Sequence, residues 1–228
     1  MSLSLPEGDG PLRRERLRTA RLYFVCEARP QGDLEALLRA ALTGGADIVQ
    51  LREKELGRAE IERAAETFRR VADTFSALFI VNDDPDLARS CDADGVHVGQ
   101  DDVGAEEARA LLGPDAIVGL STHSEEQIAA SAERPVDYIS VGPVWETPTK
   151  AGRPAVGIEL VEHAAAHAPH PFFAIGGIDA DNAEQVVAAG AERLCAVRAL
   201  RDAADPAAAA AALRQAFSAG ERGVAPGG

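Results

Sequence analysis

Leu78-Phe79-Ile80-Val81-Asn82-Asp83-Asp84-Pro85 changes character halfway along. Its first half is a β-branched and aromatic run with the length of a strand, and its second half is polar. Asp84 followed by Pro85 places a capping side chain before a proline at the first helical position. An apolar strand that passes through a short polar edge into a helix is the beginning of a βα unit.

The same pairing recurs in both directions along the chain. Strands are expected at Leu22–Cys26, Asp47–Leu51, Leu78–Asn82, Gly95–Val98, Ile117–Leu120, Tyr138–Val141, Phe172–Ile175 and Leu194–Val197, each followed by a segment of helical period. Ser124-x-x-Gln127 and Asp181-x-x-Glu184 have the spacing of helix starts, while Gly44-Gly45 and Gly113-Pro114 read as helix stops. The alanine-rich run Ala207 to Ala212 follows Asp205-Pro206 and continues to Leu213 and Phe217 at helical spacing, as a last helix would. Eight βα units within about 200 residues favour a single (β/α)8 TIM barrel, class α/β, over an open doubly wound sheet. The expected boundaries are a loose head over 1–19, a barrel over 20–219 and a loose tail over 220–228.

The 228 residues carry 23 Lys+Arg against 37 Asp+Glu, a formal net charge of −14, and the sequence pI is near 4.8. That field opposes non-specific binding to nucleic acid or to an anionic membrane, so no nucleic-acid and no membrane partner is expected. A phosphate ligand would then have to be held by local cations or by a metal. Cys26, Cys91 and Cys195 lie far apart, without zinc or disulfide spacing, and no apolar run suits a signal peptide or a membrane span. The expectation is a soluble, cytoplasmic protein, with a homo-oligomer left open.

In a parallel barrel the chemistry lies at the C-terminal ends of the strands. After strand two stand Gln50-Leu51-Arg52-Glu53-Lys54, whose period of two aims Gln50, Arg52 and Lys54 to one side. After strand three come Asn82 and Asp83, and after strand four Gly99-Gln100-Asp101-Asp102. Neighbouring strands lie about 5 Å apart, so Asp83 and Asp102 can share a hard cation, with Asp101 as competitor and Asp84 explained as a cap. Lys54 and Lys150 are the only lysines, and both fall at strand ends. A compact ammonium suits a single phosphate oxygen, where arginine offers a fork. Thr147-Pro148-Thr149-Lys150 forms a polar loop after strand six, and the stretch to Pro154 is a candidate lid. Gly176-Gly177 after strand seven, with Val197 and Arg198 after strand eight, offers a second anion site. His97 and His123 read as packed and hydrogen-bonded before they read as acid–base groups. Two anion sites imply two phosphorylated substrates, or one ligand phosphorylated at both ends.

With Gln50-Leu51-Arg52-Glu53-Lys54, Val81-Asn82-Asp83, Gly95-Val96-His97-Val98-Gly99-Gln100-x-Asp102, Thr147-Pro148-Thr149-Lys150 and Ile175-Gly176-Gly177-Ile178 in order, the chain resembles the thiamine phosphate synthase family from Leu22 to about Asp205. The resemblance implies an enzyme that joins 4-amino-2-methyl-5-(diphosphooxymethyl)pyrimidine to 4-methyl-5-(2-phosphooxyethyl)thiazole with Mg²⁺, giving thiamine phosphate and pyrophosphate by a dissociative substitution. It implies that Gln50, Leu51, Arg52, Glu53, Lys54, Asn82, Ser121 and Lys150 meet the pyrimidine diphosphate, with Arg52, Lys54, Ser121 and Lys150 acting on the reaction. Asp83 and Asp102 would hold the magnesium. Thr147, Pro148, Thr149, Gly177, Val197 and Arg198 would surround the thiazole phosphate. Strand one ends Cys26-Glu27 where many relatives carry Thr-Asp, and Arg198 replaces a serine of some members. The alternatives are a thiazole tautomerase-like isomerase and a non-catalytic ligand-binding relative.

Overall fold

Eight parallel strands hydrogen-bond in chain order and close on themselves, the eighth pairing with the first. They are β1 (Leu22–Cys26), β2 (Ile48–Leu51), β3 (Leu78–Asn82), β4 (Gly95–Val98), β5 (Ile117–Thr122), β6 (Tyr138–Val141), β7 (Phe172–Ile175) and β8 (Leu194–Ala196). This is the expected (β/α)8 barrel. The computed structural model describes residues 9–100, 103–147 and 154–223, with side chains described to residue 218. Outside the strands run α1 (Gly10–Thr19), α2 (Leu34–Thr43), α3 (Arg58–Phe75), α4 (Pro85–Ser90), α5 (Ala105–Leu112), α6 (Glu125–Ala130), α7 (Gly157–His167), α8 (Ala183–Ala188), α9 (Arg198–Arg201) and α10 (Pro206–Gly223).

The strand period of two divides the core into two layers. Phe24, Val49, Phe79, Val81 and Val96 point outward and pack with Leu38, Phe68 and Val161 of the helices. Tyr23, Ile48, Leu78, Ile80, Ile117, Tyr138 and Phe173 point inward and fill the barrel. At Gly119 on β5 a Cβ would run into the ring of Tyr138, which is fully buried. Gly119→Ala is therefore expected to cost about 1–3 kcal/mol, as overpacking in a filled core does, measured by urea denaturation. An unchanged midpoint would show that the ring can yield.

The helix signals mostly hold. Asp84 Oδ1 accepts from Leu87 N at 2.7 Å, and Ser124 Oγ accepts from Gln127 N at 3.3 Å while Gln127 Oε1 accepts from His123 N at 2.8 Å. Asp205 Oδ1 accepts from Ala207 N and Ala208 N, opening α10 where the Asp-Pro pair placed it. Asp181 is not the cap expected of it. Asn182 precedes α8 instead; its Oδ1 accepts from Asp179 N and its amide donates to Gly177 O at 2.8 Å, which ties the helix start to the loop after β7.

The head is also a correction: Gly10–Thr19 is not loose but forms α1, which closes the N-terminal end of the barrel. Its Leu17, with Ala20, joins the inward-facing cluster. Two arginines fasten it, Arg13 Nε to Asp94 at 3.0 Å and Arg14 Nε to Asp137 at 2.8 Å. At the other terminus α10 continues past residue 219 to Gly223. Residues 1–8 and 224–228 lie outside the described residues.

The two carboxylates that receive α1 belong to a threefold pattern. Asp47, Asp94 and Asp137 stand immediately before β2, β4 and β6, and each accepts a backbone N–H from the preceding strand: Leu22 N at 3.0 Å, Phe79 N at 2.8 Å and Val118 N at 2.8 Å. Each is also held by arginine, Asp47 by Arg214, Asp94 by Arg69 as well as Arg13, and Asp137 by Arg109 as well as Arg14. Charge-assisted bonds to strand ends satisfy backbone groups that the ladder leaves over and pin adjacent strands together. Rigidity at this end leaves the opposite mouth to chemistry.

Candidate active site

Along the inward-facing positions the barrel interior passes from apolar to polar. β2 reads Ile48 then Gln50, β3 reads Leu78, Ile80, Asn82, and β5 reads Ile117, Gly119, Ser121. The polar members open on a cavity of about 290 Å³ at the C-terminal mouth. Tyr23, Val25, Phe173 and Ile175 give it an apolar floor suited to a flat ring, while Arg52 and Arg198 bring positive charge to its wall.

Of the residues singled out in the sequence, Gln50, Arg52, Asn82, Ser121, Thr147, Gly177, Val197 and Arg198 all border this cavity. Gln50 and Ser121 are buried, each 3% exposed. Gly177 holds φ = 70°, and a Cβ there would press on Trp145, so a side-chain-free residue belongs at that turn. Arg198 is exposed and borders the cavity, and its charge also acts on Asp202, whose carboxyl is lowered chiefly by Arg201.

Leu51 and Glu53 do not border this cavity. Leu51 falls on the other side of the pleat from Gln50, and its side chain packs in the helix-facing layer. The Glu53 carboxylate is engaged by backbone donors, Lys54 N and Glu55 N at 2.8 Å and Ala28 N at 3.3 Å, and braces its own loop.

Asp83 lies at the rim beyond β3. Its backbone is left-handed, φ = 61°, and its N–H donates to His97 O at 2.8 Å across to β4. The side chain is 27% exposed, with Lys54 Nζ 3.9 Å from Oδ2. Asp101, Asp102, Pro148, Thr149 and Lys150 lie outside the described residues, as does most of the loop from Thr147 to Pro154. Among the described residues no three His, Cys, Asp or Glu side chains gather into a metal-binding group. Magnesium does not require such a cage, since it is commonly held by one or two carboxylates together with waters and substrate phosphates. A partly exposed hard oxygen donor beside a cationic cavity fits that role.

The histidines are hydrogen-bonded, as expected. His123 Nδ1 lies 2.5 Å from Gly142 O, and His97 is 8% exposed with both ring nitrogens engaged by side chains. Burial raises the Cys26 thiol well above its ordinary range and pushes Cys91 up to about 11, which disfavours the thiolate of both at neutral pH. What the sequence reading missed is the aromatic part of the site. Tyr23 and Phe173 look like any core residues until closure of the barrel brings their rings into edge contact, 5.2 Å between centroids. Among the described residues no helix is long and apolar enough to cross a membrane.

Comparison with known proteins agrees with this geometry. Residues 22–200 match the family model described as thiamine monophosphate synthase. The chain is 49% identical over 219 residues to a thiamine-phosphate synthase of Saccharopolyspora erythraea, covering 92% of this chain and 98% of the relative. It is 50% identical over 205 residues to one of Thermobifida fusca, covering 89% and 94%. Among solved structures, a thiamine phosphate pyrophosphorylase from Pyrococcus furiosus superposes with a TM-score of 0.81 at 31% identity, covering 92% of this chain and 98% of that one. A 3-hexulose-6-phosphate synthase, 22% identical with a TM-score of 0.61, shares the fold alone. With motifs, barrel and cavity in agreement, the chain belongs to the thiamine monophosphate synthase family.

Proposed function

We propose that the mouth cavity is the active site of a thiamine-phosphate synthase, joining 4-amino-2-methyl-5-(diphosphooxymethyl)pyrimidine to 4-methyl-5-(2-phosphooxyethyl)thiazole with loss of pyrophosphate. The observation that carries this reading is the convergence of Gln50, Arg52, Asn82, Ser121, Gly177 and Arg198, from five different strand ends, on one cavity with an aromatic floor. The floor accepts the pyrimidine ring, and Arg52 with Lys54 and Lys150 offsets the charge that grows on the diphosphate as its C–O bond breaks. Ser121 and Asn82 orient the same group by hydrogen bonds. Across the cavity Gly177 and Val197 offer backbone contacts, and Arg198 a guanidinium, to the phosphate of the thiazole. The bond is made by the thiazole nitrogen, so no protein nucleophile is needed. Asp83 and Asp102 would hold Mg²⁺, which when bound neutralises charge on the diphosphate leaving group.

The experiment is pyrophosphate release with each substrate alone and with both, with and without Mg²⁺. Release coupled to thiamine phosphate formation and dependent on both substrates and on the metal is expected. Isomerisation of a thiazole carboxylate phosphate without pyrophosphate would favour a tautomerase, and ligand binding without turnover a non-catalytic relative.

A further inference from the structure

Five side chains form one hydrogen-bonded line across the barrel interior. Gln50 Nε2 donates to Tyr23 Oη at 2.7 Å, Tyr23 Oη lies 3.0 Å from Tyr138 Oη, Tyr138 Oη 3.0 Å from His97 Nδ1, and His97 Nε2 3.0 Å from Ser121 Oγ. The line crosses from β2 through β1 to β6, and then by way of β4 to β5. Its two ends, Gln50 and Ser121, border the cavity, whereas Tyr138 is fully buried behind it.

Such a line has a direction, because each hydroxyl carries one proton. Tyr23 receives the Gln50 amide hydrogen, so its own proton serves Tyr138, and the proton of Tyr138 serves Nδ1 of His97. The imidazole then carries its hydrogen on Nε2 and donates to Ser121 Oγ. Ser121 Oγ has no other hydrogen-bond partner among the described residues, so its proton is directed into the cavity. At the far end the Gln50 carbonyl oxygen is left as an acceptor. Burial drives both phenols well above their ordinary range, which keeps each of them a donor. Ser140 Oγ, 3.4 Å from Nε2, can share the same N–H.

We propose that this line sets the polarity of the site: Tyr138 and His97 are positioning residues that fix the Nε2–H tautomer and present the Ser121 hydroxyl as a donor to the anionic part of the substrate, while Gln50 presents an acceptor to an amino group on the ring. The proposal rests on the functional reading above for what occupies the cavity; the direction of the line rests on the Gln50 amide donating to Tyr23. The reverse direction, with the Gln50 amide turned over, would make Ser121 an acceptor facing an anion.

The test combines ¹⁵N NMR of the histidine rings with a double-mutant cycle. In the ligand-free wild type, His97 is expected to show a protonated Nε2 and an unprotonated Nδ1, whether or not the enzyme reading is right. Tyr138→Phe should allow the other tautomer to appear. It should also lower kcat about tenfold, the worth of one oriented hydrogen bond, with KM held within about twofold, since the variant removes orientation rather than uniform binding. Tyr138→Phe/Ser121→Ala should be no slower than Ser121→Ala alone, because Tyr138 and His97 act on the reacting group through that hydroxyl. A protonated Nδ1 in the wild type, or losses that multiply in the double variant, would overturn the proposal. A wild type that releases no pyrophosphate would instead count against the functional reading, and the tautomer would still decide the relay.

Discussion

Asp83→Asn is expected to lower turnover by about 10²-fold or more, the cost of removing one electrostatic stabiliser at a reacting centre, with the barrel intact. The left-handed backbone at φ = 61° explains the choice of variant. Asparagine tolerates that conformation and keeps the side-chain shape, so the change removes charge alone. Asp83→Ala should lose activity as severely but also give up about 1 kcal/mol of stability to strain at that φ. Steady-state pyrophosphate release and thermal melts of the two variants separate the effects. The N–H that ties residue 83 to His97 O on β4 survives in both. Near-normal rates at saturating substrate and magnesium would remove Asp83 from the site.

The largest effect on stability is expected far from the chemistry, at Asp94. This carboxylate is 6% exposed and lies 3.0 Å from Arg13 Nε and 2.9 Å from Arg69 Nη1, and it accepts Phe79 N at 2.8 Å. Asp94→Ala leaves Arg13 Nε and the Phe79 N–H without their acceptor at a buried strand start, and Arg69 with only Asp73 and the Asp92 carbonyl. Breaking a buried pair in this way costs about 3–5 kcal/mol. Chemical denaturation should show that loss, and hydrogen exchange should show α1 released from the barrel floor, since Arg13 is one of its two ionic attachments. If α1 stayed protected and the midpoint moved by less than about 1 kcal/mol, the pairs at that end would be worth no more than surface ones.

How far the sequence reveals this molecule depends on the range of the signal. Strands were legible because each is a short apolar run ending in polar residues, and Asp84-Pro85, Ser124 and Asp205 mark helix starts through contacts of two or three residues. The cavity lining was legible at Gln50 and Arg52 through the strand period of two and at Asn82 as the polar end of a strand, whereas Ser121 came from the family resemblance. Helix α1 was not: Leu12 and Leu17 are its only large apolar side chains, and it docks through arginines whose partners, Asp94 and Asp137, are 81 and 123 residues away. The interior line was hidden for the same reason. Tyr23 and Tyr138 meet across 115 residues, and only a closed barrel brings β1 opposite β6. Asp181 was misread because Asn182, one residue later, makes the turn with Asp179 and Gly177.

The most direct test of the account is diffraction from crystals soaked with Mn²⁺, as an anomalous stand-in for magnesium, and pyrophosphate. One ion is expected bonded to an Asp83 carboxylate oxygen and to pyrophosphate, with Asp102 completing the protein ligands and the anion lying against Arg52. Pyrophosphate bound in the cavity with its ion held elsewhere, and no carboxylate from the end of β3 in contact with it, would contradict the account.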